Sequence, residues 1–180
     1  MSTIDVVLPA LPPTPAATTR SAQRPLSTTA LRILLVDNGK PKARELLTGL
    51  AEAMSSRVTV TSVVHHRKAS ASVVLAAEEA RDLAAQHDVA ITGLGDCGGC
   101  SAGSLQDALA LERAGLPATV LITEPFQGLV ADLAARLGDL PGYRAVVLPH
   151  PVSSKDDVVL AELAQRAAPD ALECLVEVAR

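Results

Sequence analysis

From residue 31 onward, short apolar runs alternate with amphipathic stretches. Arg32–Asp37, Arg57–Val64, Val89–Leu94, Ala118–Thr123 and Arg144–Leu148 are rich in Val, Ile, Leu and Thr, the composition of strands buried on both faces. Between the first two, Ala43, Leu46, Leu47, Leu50, Ala51 and Met54 recur at helical spacing and draw one apolar face, with Pro41 suited to the first turn. Ser72–Gln86 is rich in Ala and Glu and predicts a second helix. A third is expected over Leu105–Ala114, stopped by Gly115 and Pro117, and a fourth over Gly128–Leu137, ended by Gly138. Ser154 with Asp157 marks the start of a last helical stretch, which Pro169 is expected to break in two before Ala179. Strand starts recur at roughly 25 to 30 residues, the span of a βαβ unit. Five such units predict a single three-layer α/β/α domain over 31–180, Rossmann-like or flavodoxin-like, with a mainly parallel sheet of about five strands. The pattern does not reveal the strand order.

Residues 1–30 break this pattern. Pro9, Pro12, Pro13, Pro15 and Pro25 interrupt Ala, Ser and Thr, so an extended or disordered arm is expected. The alternative is an arm lying along a partner subunit, for which Val6, Val7 and Leu8 are the visible anchor.

Composition narrows the function classes. A net charge of −4, with one Phe, one Tyr and no Trp, supplies neither a basic footprint nor aromatic platforms for nucleic acid. No apolar run approaches the ~18 residues that would span a bilayer. Three cysteines, two of them in one C-x-x-C, do not make a disulfide framework. They fit a reducing, cytoplasmic setting in which a thiol pair is used.

In open α/β sheets ligands bind beyond the carboxyl ends of the strands, so the residues following each strand are the candidates. Asp37, Asn38 and Lys40 follow the first, and His65-His66-Arg67-Lys68 the second. The third leads into Gly93-Leu94-Gly95-Asp96-Cys97-Gly98-Gly99-Cys100-Ser101-Ala102-Gly103-Ser104. Thr123-Glu124-Pro125-Phe126 follows the fourth strand, and His150-Pro151 with Ser153 and Ser154 the fifth. The long Gly-rich stretch is expected to be a loop, with Ser104 and Asp107 forming a capping-box-like start to the third helix. A C-x-x-C just before a helix N-terminus sits where the helix field favours a thiolate.

Cys97 and Cys100 are therefore the expected catalytic pair, with His150 as acid, base or thiolate partner. Asp37, Asn38, Lys40, Asp96, Gly98, Gly99, Ser101, Ser104 and Glu124 are the expected substrate contacts. His65 to Lys68 read as a solvated basic loop or, alternatively, as an attractor for an anion. His87 reads as helix-end decoration, Glu112 as a residue on an exposed helix face, and Cys174 as core. Neither G-x-G-x-x-G nor G-x-x-x-x-G-K-[ST] follows the first strand, so no nucleotide cofactor is expected. Cys97, Cys100, His150 and Glu124 could converge on zinc, but without a second C-x-x-C no metal is expected.

Three segments carry a family resemblance. Val36-Asp37-Asn38-Gly39-Lys40-Pro41, the Thr92–Ser101 stretch with its Asp-Cys-Gly-Gly-Cys core, and Glu112-Arg113-Ala114-Gly115-Leu116-Pro117 resemble the UGSC family of (seleno)proteins. That family is named for Sec-Gly-Ser-Cys, with Cys often replacing Sec. By position Cys97 matches the selenocysteine site, Cys100 matches the second cysteine, and Gly99 stands where the family name has Ser. A position that accepts selenocysteine implies redox or strongly nucleophilic work. The resemblance thus implies thiol-based chemistry and supplies no substrate; the expected reading is a thiol oxidoreductase in which Cys97 attacks and Cys100 resolves, with a small-molecule substrate and an external thiol reductant. Two alternatives stay open: a cysteine-nucleophile lyase, hydrolase or transferase, and a module carrying metal or sulfur. A homodimer is compatible with either enzyme reading.

Overall fold

The structure is a computed structural model that describes residues 22–138, 140 and 142–177. All five apolar runs become strands of one sheet. β1 (Leu31–Asp37), β2 (Val60–Arg67), β3 (Val89–Gly95), β4 (Ala118–Thr123) and β5 (Val146–Leu148) pair in parallel in the order β2-β1-β3-β4-β5. This is the doubly wound order of a flavodoxin-like fold.

Alternation along the strands divides the interior into two cores. Leu31, Ile33 and Leu35 of β1 and Val89 and Ile91 of β3 face α1 (Ala43–Ser55) and α5 (Asp157–Leu175). Leu34, Val36, Ala90, Val120 and Ile122 face the other way, against α2 (Ala77–Gln86), α3 (Gly98–Arg113) and α4 (Gln127–Gly138). Every residue of β3 and β4 is buried, as expected for central parallel strands.

Several element boundaries differ from expectation, each for a local reason. β2 begins at Val60 rather than Arg57, because the amides of Arg57 and Val58 still bond to the Met54 carbonyl at the end of α1. It runs on to Arg67, which pairs with Asp37, so His65, His66 and Arg67 belong to the strand and not to a loop after it. The β5 ladder starts at Val146, opposite Leu121 of β4. α1 starts at Ala43, leaving Pro41 in the turn before it. α2 starts at Ala77 because Leu75 instead gives its amide to Asp107, at 2.9 Å.

The largest difference lies in α3. Gly98, Gly99 and Gly103 are poor helix formers, so propensity places the start at Leu105. The helix nonetheless starts at Gly98: Cys97 is the N-cap, its Sγ accepts the Cys100 amide at 3.2 Å, the Ser101 amide bonds the Cys97 carbonyl at 2.9 Å, and Asn38 and Thr92 bond Ser104 from a distance in sequence. Gly103 is needed where it stands, since a Cβ there would lie 2.7 Å from the Ala71 carbonyl oxygen. Ser104 and Asp107 consequently sit inside the helix and form no capping box. Asp107 is fully buried and accepts from Lys68 Nζ at 2.5 Å.

α5 is capped by Asp156, whose carboxylate accepts the Val159 amide at 2.9 Å, rather than by Ser154. It passes through Pro169 unbroken. Residues on both sides of the proline, from Leu160 and Ala164 to Ala171 and Leu175, pack into the core shared with α1, which holds the helix across the missing N–H.

The end of the expected N-terminal arm is docked on the domain. Arg24 grips Glu112 with two nitrogens, at 2.7 and 3.0 Å, and the Ala22 amide donates to the same carboxylate at 2.8 Å. Glu112 also accepts the Ala118 amide at 2.9 Å and is 1 % exposed, so it is a buried anchor and not a surface residue. Leu26 forms a bridge with Glu177. Val6, Val7 and Leu8 lie outside the described residues.

Candidate functional site

The strand order reverses between β1 and β3, which places the ligand crevice where the loops after these strands part. The β1 loop is held from within. Asp37 accepts the Gly39 amide at 2.8 Å, and Gly39 has φ 76°, a left-handed conformation suited to glycine. Asn38 donates through Nδ2 to the Leu94 carbonyl at 2.9 Å and to Ser104 Oγ at 3.0 Å, while its Oδ1 accepts the Lys40 amide at 3.2 Å. Thr92 Oγ1 donates to the Ser104 carbonyl at 2.7 Å. Asn38 and Ser104 are thus buried links between β1, β3 and α3, and buried Asp37 closes the turn at Gly39. Of the β1 loop candidates Lys40 is exposed, on the rim.

Cys97 and Cys100 are joined in a disulfide, with Cα atoms 5.2 Å apart, at the first turn of α3. Their exposures differ: Cys97 is exposed, whereas Cys100 is buried. Ser101 is fully buried, and its hydroxyl donates to the Cys97 carbonyl at 2.8 Å, so it braces the cysteine from behind. Gly95 makes room for that brace, since a Cβ there would lie 2.6 Å from Ser101 Oγ and 2.8 Å from Ile122 Cγ2. A Cβ on Gly98 would just touch the Phe126 ring, at 4.0 Å, and one on Gly99 would meet nothing within 4 Å.

Asp96 and His150 come together beside this turn. His150 Nδ1 lies 3.0 Å from Asp96 Oδ1 and 3.0 Å from Thr123 Oγ1. The carboxylate also accepts the amides of Ser153 at 3.0 Å and Val152 at 3.3 Å. Burial alone would raise the Asp96 carboxyl. The Ser153 amide and hydroxyl, the Val152 amide and the Thr123 hydroxyl outweigh it and hold the group below its ordinary range. With Nδ1 engaged, Nε2 is the ring nitrogen left for proton exchange. Phe126 meets His150 edge-on, with ring centroids 5.9 Å apart. The His150–Pro151 peptide is cis. Glu124 begins a single 3₁₀ turn after β4 and is exposed.

Thr123, Phe126 and Ser153 were not singled out by the sequence. Their signal was positional, since Thr123 ends β4 and all three stood in the strand-end segments without a role assigned to them.

The basic segment at the end of β2 is not a solvated loop. His65 Nε2 lies 3.2 Å from Thr48 Oγ1, and its Nδ1 is buried without a partner among the described residues. Burial, then the Arg44 charge, lower the pKa of this ring. His66 Nε2 faces Glu79 at 3.1 Å. Lys68 is buried on Asp107, whose carboxyl burial pushes up while Lys68 and the Leu75 amide pull it back. His87 is buried at the end of α2, with Nδ1 2.8 Å from the Leu83 carbonyl. Cys174 lies in the core, and burial raises its thiol. Among the described residues no group of three or more His, Cys, Asp or Glu could hold a metal ion, and no helix is long and apolar enough to cross a membrane.

A doubly wound parallel α/β domain with a C-x-x-C at the switch point, flanked by a His–Asp pair, is the class these observations define. The chain belongs to the UGSC family, whose model matches residues 5–177. No curated protein sequence matches it. Among solved structures it is similar to a diflavin flavoprotein A3 from Nostoc sp., at 16% identity and TM-score 0.43 over 85% of this chain and 94% of that one. A flavodoxin-like domain from Synechococcus sp. matches at 11% identity and TM-score 0.43, over 78% of this chain and 90% of that one. A C2-type ketoreductase from a modular polyketide synthase matches at 18% identity and TM-score 0.46, over 84% of this chain and 37% of that one.

Proposed function

We propose that this protein is a thiol oxidoreductase acting on a small molecule with a reducible bond, with Cys97 as the attacking and Cys100 as the resolving sulfur. The observation that carries the reading is the asymmetry of the pair: the sulfur at the helix cap is exposed, and its partner one turn on is buried. An attacking thiol must reach its substrate, whereas a resolving thiol needs only to reach the attacker. The N-terminal end of α3 favours the Cys97 thiolate through the helix dipole and the Cys100 amide, which donates to its Sγ.

For a disulfide substrate the sequence of bonds is as follows. The Cys97 thiolate attacks one substrate sulfur, a Cys97–substrate disulfide forms, and the other sulfur leaves as a thiolate that takes a proton from the His150 imidazolium. Neutral His150 then accepts the Cys100 proton, and the Cys100 thiolate attacks Cys97 Sγ. The Cys97–Cys100 disulfide closes, and the second substrate thiol is released. Two electrons have passed from the protein to the substrate, and an external dithiol returns them.

Reduced protein treated with bis(2-hydroxyethyl) disulfide tests this by intact mass. The unaltered chain is expected to close Cys97–Cys100 and free both thiols. Cys100→Ser should accumulate a mixed disulfide on Cys97, and Cys97→Ser should form no adduct at this turn. A pair that never oxidises, or a Cys97→Ser/Cys100→Ser chain that turns over like the unaltered one, overturns the proposal.

A further inference from the structure

We infer that the cleft between the loops after β1 and β2 binds an anionic group of the substrate, a phosphate or a carboxylate. The cleft has a volume of about 270 Å³ and is lined by Asn38, Gly39, Lys40, Arg67, Ser70 and Ser72 among others, with no carboxylate in its wall. Two cations face it. Neither Lys40 nor Arg67 takes part in an ion pair among the described residues, while the third basic residue of the wall, Lys68, is already neutralised by buried Asp107. Asp37, whose carboxylate accepts the Gly39 amide at 2.8 Å, is buried behind the wall and does not line it, so the exposed cations Lys40 and Arg67 give the cleft surface its positive charge.

Its construction suits an oxyanion. The Arg67 guanidinium lies along Gly39, where an added Cβ would be in ordinary contact, 3.9 Å from its terminal nitrogen, and both residues line the cleft. The guanidinium fork matches the spacing of two oxygens of a carboxylate or phosphate, and Lys40 adds a second point charge. Ser70 Oγ accepts the Ser72 amide at 3.2 Å, which leaves its hydroxyl proton to donate. A phosphate or a short carboxylate fits the volume, given that a water molecule occupies about 30 Å³.

The cleft also has a defined relation to the sulfurs. Its wall residue Asn38 bonds Ser104, and its wall residue Ala71 touches Gly103. At about 1.5 Å of rise per residue, this part of α3 lies roughly 10 Å along the helix from Cys97. A substrate anchored here by its anion would place an atom some eight or nine bonds away at Cys97, on the scale of roughly 10 Å. The link to a reacting atom rests on the thiol reading above, whereas the anion site itself does not.

Calorimetric titration of the full chain with sodium phosphate and with sodium malonate, at fixed ionic strength set by sodium chloride, tests the site. The titration is run on oxidised and on reduced protein, so a failure of the thiol reading in the mass experiment leaves this result standing. One saturating equivalent is expected. Lys40→Gln and Arg67→Gln should each weaken it roughly ten- to a hundredfold, the range for one charge-assisted contact. Arg81→Gln, at an exposed cation on α2, should leave it unchanged. Tighter phosphate identifies a phosphoryl group and tighter malonate a carboxylate, both in support. No saturable binding of either anion overturns the inference. So does equal weakening by all three variants, which would show only the general charge of the chain.

Discussion

The Asp96 carboxylate stands 3.0 Å from His150 Nδ1 and takes the Ser153 amide at 3.0 Å, so the residue just before Cys97 holds the whole turn after β5. Asp96→Asn is expected to destabilise the fold by about 1 kcal/mol at pH 7, since a neutral amide accepts these bonds less strongly. The pH dependence follows from the direction of the shift. The folded carboxyl titrates below its ordinary value of 3.8, so its stabilisation is complete above that pH and is lost as pH falls through the lower folded value. Urea denaturation at pH 7 and at pH 3 should show the gap between variant and parent shrinking in acid. An equal gap at both pH values would count against the charge of Asp96 as its source.

Exposure should order the thiols. After reduction, iodoacetamide at pH 8 is expected to label Cys97 first and Cys100 later. Cys174, buried and raised by that burial, should stay unmodified while the chain is folded. Peptide mass mapping over a time course checks the order, and early labelling of Cys100 would contradict it.

Two glycines near the disulfide should respond in opposite ways. Gly95→Ala drives a Cβ into Ser101 and Ile122 and is expected to cost about 1–3 kcal/mol. Gly99→Ser meets no atom within 4 Å and replaces a flexible residue in the first turn of a helix, so it should stabilise by about 0.5 kcal/mol. Thermal melts of the two variants side by side read both signs.

Glu112 has four donors on one buried carboxylate: Arg24 by two nitrogens, and the Ala22 and Ala118 amides. Glu112→Ala removes the carboxylate acceptor from all four and is expected to cost about 3–5 kcal/mol. Arg24→Ala, whose own side chain is 20% exposed, should cost less. A double-mutant cycle by denaturant unfolding gives the coupling, and additive effects would show that the pair does not act as a unit.

The layered fold was legible because periodicity records burial, and the central strands β3 and β4 are buried on both faces. Boundaries were less so wherever a long-range contact decides them. Nothing local in the Gly-rich run says that α3 begins at Gly98, since its first turns are held by Asn38, Thr92 and the Ala71 carbonyl, all distant in sequence. Glu112 looked exposed because its partners lie elsewhere, chiefly Arg24, 88 residues away. Of the site, the cysteines and His150 could be read from their place after strands. The inward turn of Asn38, Ser101 and Ser104 could not, because a Ser or Asn reads the same whether its partner is a ligand or the backbone behind it. The Asp96–His150 pairing depends on the adjacency of β3, β4 and β5, which the sequence pattern leaves open.

Gly99 offers a control point on the electronics of the pair. It occupies the first turn of α3 between the two sulfurs in sequence, and a side chain there displaces nothing. A lysine at this position would add to the positive end of the helix, and a glutamate would oppose it. The two would draw the balance between dithiol and disulfide in opposite directions, while the scaffold beneath stayed as it is.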